Sequence, residues 1–238
     1  MGMSTSATPL DCLSLEDSLG DIVISFPALL PTLHGHGFDY CCGGAKSLAD
    51  ACTDKGLVPG EVLAQLQDVL ARGSGEGWAD RSLKDLMFHI HNRFHVAHRE
   101  QLPQLVYMAR KVEQVHADKP DCPKGIADFL AEWELELEAH MDKEDGILFP
   151  MIAGGEGALA EGPISVMKAD HETHGGQLET LRRLAHNYQP PAEACNTWRA
   201  LYSGLDTFER DIMEHVHLEN YVLFPRALTG ENPDSTES

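Results

Sequence analysis

The sequence predicts an all-α protein, an up-down bundle of four long helices behind a small helical N-terminal unit. Three observations carry this. After residue 82, four stretches place apolar residues in alternating steps of three and four, the spacing of one helix face. Short segments rich in glycine and proline separate them, which favours antiparallel neighbours. The third is a repeat: His140-Met-Asp-Lys-Glu144-Asp-Gly-Ile-Leu148-Phe149-Pro150 returns as His215-Val-His-Leu-Glu219-Asn-Tyr-Val-Leu223-Phe224-Pro225.

In chain order, residues 1–17 are polar and expected to be loose. Helical patterning runs from Leu19 to Gly35, with Pro27 suited to the first turn of a second short helix. A turn-rich stretch, Gly37-Phe38-Asp39-Tyr40-Cys41-Cys42-Gly43-Gly44, opens into a helix from Lys46 to about Lys55. Another runs from Pro59 to about Ala71. Residues 1–72 therefore form the N-terminal unit, and a glycine-rich linker, 73–81, separates it from the bundle at 82–226. The first long helix starts at the N-cap Ser82, with Asp85 three residues on, and reaches about Ala117 with a kink expected at Pro103. The second spans about Gly125 to Gly146, ending before Pro150. The third starts at Pro163 and reaches about Asn187, and the fourth runs from about Glu193 to Phe224. Residues 227–238 read as a polar, disordered tail.

The repeat extends to the first and third long helices, where His95-Val-Ala-His98-Arg-Glu-Gln101-Leu102 matches His171-Glu-Thr-His174-Gly-Gly-Gln177-Leu178. Each half is thus one helix with H-x-x-H-x-x-Q-L and one with H-x-x-x-E-x-x-x-L-F-P. These residues continue apolar stripes. Ile126, Leu130, Trp133, Leu137, His140, Glu144 and Ile147 lie on one face. So do Leu201, Leu205, Phe208, Ile212, His215, Glu219 and Val222 on the fourth helix, and Ile164, Met167, His171, His174, Leu178 and Leu181 on the third. On the first helix the stripe takes Phe88, His91, His95, Leu102 and Val106.

Two carboxylates at positions where a core expects leucine decide the chemistry. A buried carboxylate without a partner costs several kcal/mol, and two facing each other also repel. No lysine or arginine lies on the stripes to neutralise them. A lone histidine would be ordinary core; a duplicated set of histidines and glutamates demands a cation between the helices. Imidazoles with carboxylates and no thiolate suit iron, manganese, zinc or copper, and the carboxylates can bridge a pair of ions. The order His-x-x-x-Glu and the excess of nitrogen differ from the Glu-x-x-His pattern of ferritin-like sites. Spacing alone leaves open which histidine of each H-x-x-H pair binds.

Composition narrows the partners. With 18 Lys+Arg against 38 Asp+Glu, a formal charge of −20, the chain repels phosphate backbones and nucleic acid is excluded as a partner. No apolar run approaches the ~20 residues of a membrane-spanning helix, and the N-terminus lacks the pattern of a secretory signal. The six cysteines, Cys12, Cys41, Cys42, Cys52, Cys122 and Cys195, make no C-x-x-C pair and read as reduced thiols of a cytoplasmic protein. Cys41 and Cys42, placed before a helix start, are candidates for reactive thiols, against the alternative of small residues in a tight turn. The other four are expected to be structural.

The duplicated histidine and glutamate motifs, with Asp39-Tyr40-Cys41-Cys42-Gly43-Gly44 upstream, resemble the iron–sulfur cluster repair di-iron proteins of the YtfE/ScdA type. The resemblance covers nearly the whole chain and implies a short ScdA-type N-terminal domain followed by a hemerythrin-like bundle. By motif it implies His95, His140, His171 and His215 as terminal iron ligands and Glu144 and Glu219 as bridging carboxylates. His91, His98, His174 and His217 are then second-sphere or surface residues, with surface or packing the default for His217. It further implies a carboxylate-bridged pair of irons, Cys41 and Cys42 as a redox pair, and damaged iron–sulfur proteins as clients. The small ligands would be nitric oxide or oxygen. Iron donation is the leading expectation. Reduction of nitric oxide or oxygen at the di-iron pair, and reversible oxygen carriage or sensing, are the alternatives. A homodimer through the N-terminal unit is a further expectation.

Overall fold

The structure, a computed structural model, describes residues 13–71, 78 and 81–235. Cys12 and most of the expected linker 73–81 lie outside them. Among the described residues the regular structure is helical.

The N-terminal unit comprises α1 (Leu19–Ser25), α2 (Leu30–Gly35), α3 (Leu48–Asp54) and α4 (Pro59–Ala71). Pro27 opens a 3-10 turn, Pro27–Leu29, that leads into α2. Ser18 and Ser47 cap α1 and α3, each accepting at Oγ from the backbone N–H three residues on, which satisfies an otherwise open donor. Leu19 donates to the Lys46 carbonyl (2.9 Å) and Gly20 to that of Gly44 (2.8 Å), so the cysteine-bearing loop folds back along α1.

Three of the four long helices contain a π-helical turn. The first is α5 (Leu83–Ile90), a π turn at His91–His95, and α6 (Val96–Val115). The second is α7 (Ile126–Lys143), a π turn at Glu144–Leu148, and α8 (Phe149–Ala153). The third, α9 (Glu161–Leu184), has none. The fourth is α10 (Asn196–His217), a π turn at Leu218–Leu223, and α11 (Phe224–Leu228). Ser82 caps α5 as expected, and α6 continues through Pro103. α6 packs on α7 and α10, and α7 on α9.

The π turns correct the expected stripes. Each inserts one residue and so rotates the helix beyond it by about 100° relative to a regular one. Ile147, expected inside, is 55% exposed, and its neighbour Leu148 is buried instead. Phe88, drawn on the same face as His95 across the first π turn, is 72% exposed, while Met87 and Ile90 point inward. In α9, without an inserted residue, all six expected positions are buried. The second and fourth helices also run past their expected ends, since Pro150 and Pro225 fall in the first turns of α8 and α11, where proline's missing N–H is not needed.

The expected tail is a second correction. Ala227 is buried, Lys84 donates its backbone N–H to the Pro233 carbonyl, and Arg226 pairs with Glu231. The chain through Ser235 therefore packs on the start of the first long helix.

Two apolar clusters fill the interior. One joins the N-terminal unit to the bundle from Leu102, Leu137, Leu178 and Ile212 outward. The other gathers Leu86, Phe94, Leu148, Met167, Leu223 and Phe224 at the opposite end. The buried histidines and glutamates of the repeat lie between them.

Candidate metal centre

The three π turns, with α7, α9 and α10, bring together all six residues singled out in the repeat. Each is at most 1% exposed. His95 closes the first π turn, Glu144 opens the second, and Glu219 sits at the second position of the third. His140 and His215 occupy the turns just before their glutamates, and His171 comes from the middle of α9. His95 Nε2 lies 3.4 Å from Glu144 Oε2 and 3.1 Å from His215 Nε2, and His215 Nε2 lies 3.3 Å from Glu219 Oε1. On the other side His140 Nε2 is 3.3 Å from Glu144 Oε1, and His171 Nε2 is 3.1 Å from Glu219 Oε2.

The donor atoms fall into two sets. His95, His215, Glu144 and Glu219 offer one cluster, and His140, His171, Glu144 and Glu219 another, with ligand atoms within 4.8 Å of one another in each. Both glutamates belong to both sets, each turning one oxygen to either side. Each set also draws one histidine from either half of the repeat, so neither half builds a position alone.

The residues fit a pair of cations. Both carboxylate oxygens of Glu144 and Glu219, with Nε2 of His140 and His171, are fully buried and lack a hydrogen-bond partner among the described residues. Groups so placed cost several kcal/mol each unless a positive charge meets them.

Side chains behind the histidines aim them. His95 donates its Nδ1–H to Asp145 Oδ1 (2.9 Å), and His171 donates to Asn220 Oδ1 (2.9 Å). Asp145 and Asn220 directly follow Glu144 and Glu219, so the repeat supplies both anchors at equivalent places. His140 lies 3.3 Å from Asp170, which Lys143 also contacts. His215 has no such partner at Nδ1 among the described residues; its ring stacks on Phe94 at 5.4 Å. The phenylalanines of the Leu-Phe-Pro motifs serve likewise, Phe149 stacking on His95 and Phe224 on His171. Burial disfavours charge on His95, but the hydrogen bond to Asp145 and the nearby Glu144 carboxylate outweigh it and lift the pKa to about 9. Burial likewise opposes charge on His171, and Glu219 lifts it to about 9. Burial depresses His140 to about 3.

Of the remaining histidines, His91 is half exposed and bonds Asp145 (3.0 Å). His98 and His174 are buried. Trp133 donates to His174 Nδ1 (3.1 Å), whereas neither ring nitrogen of His98 has a hydrogen-bond partner among the described residues. His217, expected at the surface or in simple packing, is 1% exposed, with Nδ1 3.3 Å from the Tyr40 carbonyl and its ring stacked on Tyr221. Asp145, Asp170 and Asn220 were not among the expected site residues; the signal for Asp145 and Asn220 is their matching place in the repeat.

Cys41 and Cys42 lie against the same centre. The Cys42 thiol donates to the His171 carbonyl (3.2 Å), and Asn220 Nδ2 donates to that of Cys41 (3.2 Å). The expected helix terminus does not act on them, because α3 begins only at Leu48. Their unlike acidity has another source. The hydrogen bond between the thiols, with burial, holds the Cys41 pKa well above its ordinary value, and the same bond lowers that of Cys42. Cys52 and Cys122 are buried free thiols, and Cys195, half-buried, sits 3.2 Å from His116 Nε2.

A bundle holding paired histidine–glutamate clusters on its inner face is that of a hemerythrin-type cation-binding protein. A family model described as the hemerythrin HHE cation binding domain matches residues 86–227, and the ScdA_N domain, of unknown function (DUF542), matches residues 15–70. The chain is 48% identical over 217 residues to the iron-sulfur cluster repair protein YtfE of Pectobacterium carotovorum. The same identity and length hold for the proteins of that name from Pectobacterium atrosepticum and Yersinia pseudotuberculosis, in each case covering 91% of this chain and 98% of the relative. The chain belongs to the YtfE family of iron–sulfur cluster repair proteins. Among the described residues no helix is long and apolar enough to cross a membrane.

Proposed function

We propose that the protein repairs damaged iron–sulfur clusters by giving up iron held between its helices. His95 and His215 would hold one iron and His140 and His171 the other, with Glu144 and Glu219 bridging. The observation that carries this is the sharing of both buried glutamates by two otherwise separate histidine pairs. Iron supplies the Lewis-acid and redox chemistry of the centre. The chain's own residues exclude water by the two apolar clusters and aim the imidazoles through Asp145, Asp170 and Asn220. Residues 1–72 and 82–226 act as two parts joined by 73–81, the first carrying Cys41 and Cys42 to the edge of the second. There the pair, as thiols, serves as a redox partner to the centre. Free thiols at every described cysteine suit a cytoplasmic setting.

One observation favours a second reading, reduction of nitric oxide or oxygen. His98 is fully buried beside His215, at 5.6 Å between rings, with neither nitrogen partnered among the described residues, and would offer a hydrogen bond to a diatomic ligand entering the centre. The two readings separate in one experiment. Iron-loaded protein is incubated with a client whose cluster has been damaged by nitric oxide, and recovery of the client's cluster is followed. Recovery matched by iron lost from the protein supports donation. Sustained consumption of nitric oxide with a reductant, without iron loss, replaces it with the second reading.

A further inference from the structure

Beyond the bundle, one further cluster of metal-ligating side chains faces open space. Cys41, Cys42 and Asp39 line a solvent-connected cavity of about 380 Å³ against α9. One donor atom from each lies within 4.8 Å of the others. The Cys41 sulfur is 3.3 Å from Asp39 Oδ1 and 3.7 Å from the Cys42 sulfur. Two thiolates on one tetrahedral ion, each at ~2.3 Å, stand roughly 3.7 Å apart. The sulfurs therefore already hold the spacing of a chelate. A disulfide between adjacent residues would instead have to close on Cα atoms ~3.8 Å apart, below the ~4.4 Å at which such bonds ordinarily begin.

The cluster is also held in place. Asp39 Oδ1 accepts the backbone N–H of both Cys41 (3.2 Å) and Cys42 (2.9 Å), which fixes the carboxylate beside the sulfurs. Across the cavity stand Gly175 and Gly176, in the interior of a 24-residue helix, where glycine weakens the helix. A side chain at 175 would begin 3.4 Å from the Cys42 sulfur, so glycine keeps that side open.

We propose that Asp39, Cys41 and Cys42 form a second cation site, for a thiophilic divalent ion such as ferrous iron, zinc or cobalt, with solvent completing the coordination. Binding converts two thiols to thiolates and releases two protons. Two thiolates and a carboxylate leave one net negative charge on the bound ion, and the cavity wall carries both signs, Lys55 and Arg182 with Glu172 and Glu179. The Cys42 sulfur lies one hydrogen bond from the backbone of His171, whose imidazole faces Glu219. Its use as the station through which iron leaves the bundle rests on the repair reading above; the site itself does not.

Cobalt(II) tests this, because thiolate ligands give it an intense near-ultraviolet charge-transfer band and imidazole or carboxylate ligands do not. The reduced full-length protein is titrated without oxygen. The expected result is a thiolate band of one equivalent, absent from Cys41→Ser and from Cys42→Ser, with affinity for that equivalent at least ~10-fold weaker in Asp39→Asn. In Glu144→Leu/Glu219→Leu the band remains while the equivalents bound without it disappear. No band at saturating cobalt, or a band that survives in both serine variants, overturns the site. Unchanged affinity in Asp39→Asn overturns the three-ligand assignment. If the band forms normally but the wild-type bundle takes up no metal, the repair reading fails and the thiol site stands.

Discussion

Asp145 and Asn220 each hold one buried imidazole of the centre, among their other bonds, and the energetic consequence is specific. An anchor behind a ligating histidine fixes its tautomer and ring angle, and its loss typically costs 10–100-fold in metal affinity, roughly 1.4–2.7 kcal/mol. Asp145→Ala and Asn220→Ala are therefore expected to weaken iron retention by about that factor, measured by competition with a chelator, with helix content unchanged. Unaltered retention in both would mean that the hydrogen bonds to His95 and His171 do not aim ligands. The six proposed ligands are legible in the sequence because histidine and glutamate are conspicuous on an apolar stripe. Asp145 and Asn220 were not, since a polar residue beside a glutamate looks like ordinary surface until its partner helix is placed. Nor could spacing choose between His95 and His98; the structure separates them by what surrounds each ring, carboxylates at His95 and phenylalanines at His98.

At the scale of the element, the π turns decide which side chains reach the centre. Periodicity counts assume 3.6 residues per turn, so a stripe drawn across an inserted residue takes the wrong neighbours after it, as Phe88 and Ile147 show. In α9, which is regular, every expected inward position is buried. The four long helices are legible too, because glycine, proline and caps act locally, although the second and fourth run on through Pro150 and Pro225. Removing an inserted residue tests the role of these turns. Deletion of Gly146 would restore regular pitch after Glu144, and Leu148, then three residues beyond it, would keep the inward place it holds now. What changes is the wide turn that carries Glu144. The expected outcome is loss of iron with the urea midpoint largely kept. A variant with unchanged iron content would show that the π turn is incidental.

At the scale of the molecule, the N-terminal unit and the bundle meet through Tyr221 and His217. A side chain at Gly20 or Gly44 would begin 2.5 Å from the Tyr221 ring or hydroxyl, so both glycines are needed for that residue to seat. His217, buried under Tyr40, has its pKa lowered by burial from 6.5 to about 4. A histidine held neutral in the fold stabilises above its unfolded pKa and loses that contribution as pH falls through the folded one. Between pH 6.5 and 4 this amounts to on the order of 3 kcal/mol. Denaturation midpoints across that window are expected to fall less steeply in His217→Gln than in the wild type; parallel curves would show that His217 is not buried neutral. None of this contact between the units could be read from the sequence, which marks the two parts by composition but carries no signal for long-range packing.

On the function proposed above, the repeat builds one shared centre for two irons. Its most direct test is iron content per chain after anaerobic loading with ferrous iron and removal of the excess. The Cys41→Ser/Cys42→Ser background serves, so that only the bundle is counted. Two irons per chain are expected, falling to none in Glu144→Leu/Glu219→Leu with helix content intact. One iron or none in the first protein, or two still retained in the second, would contradict it.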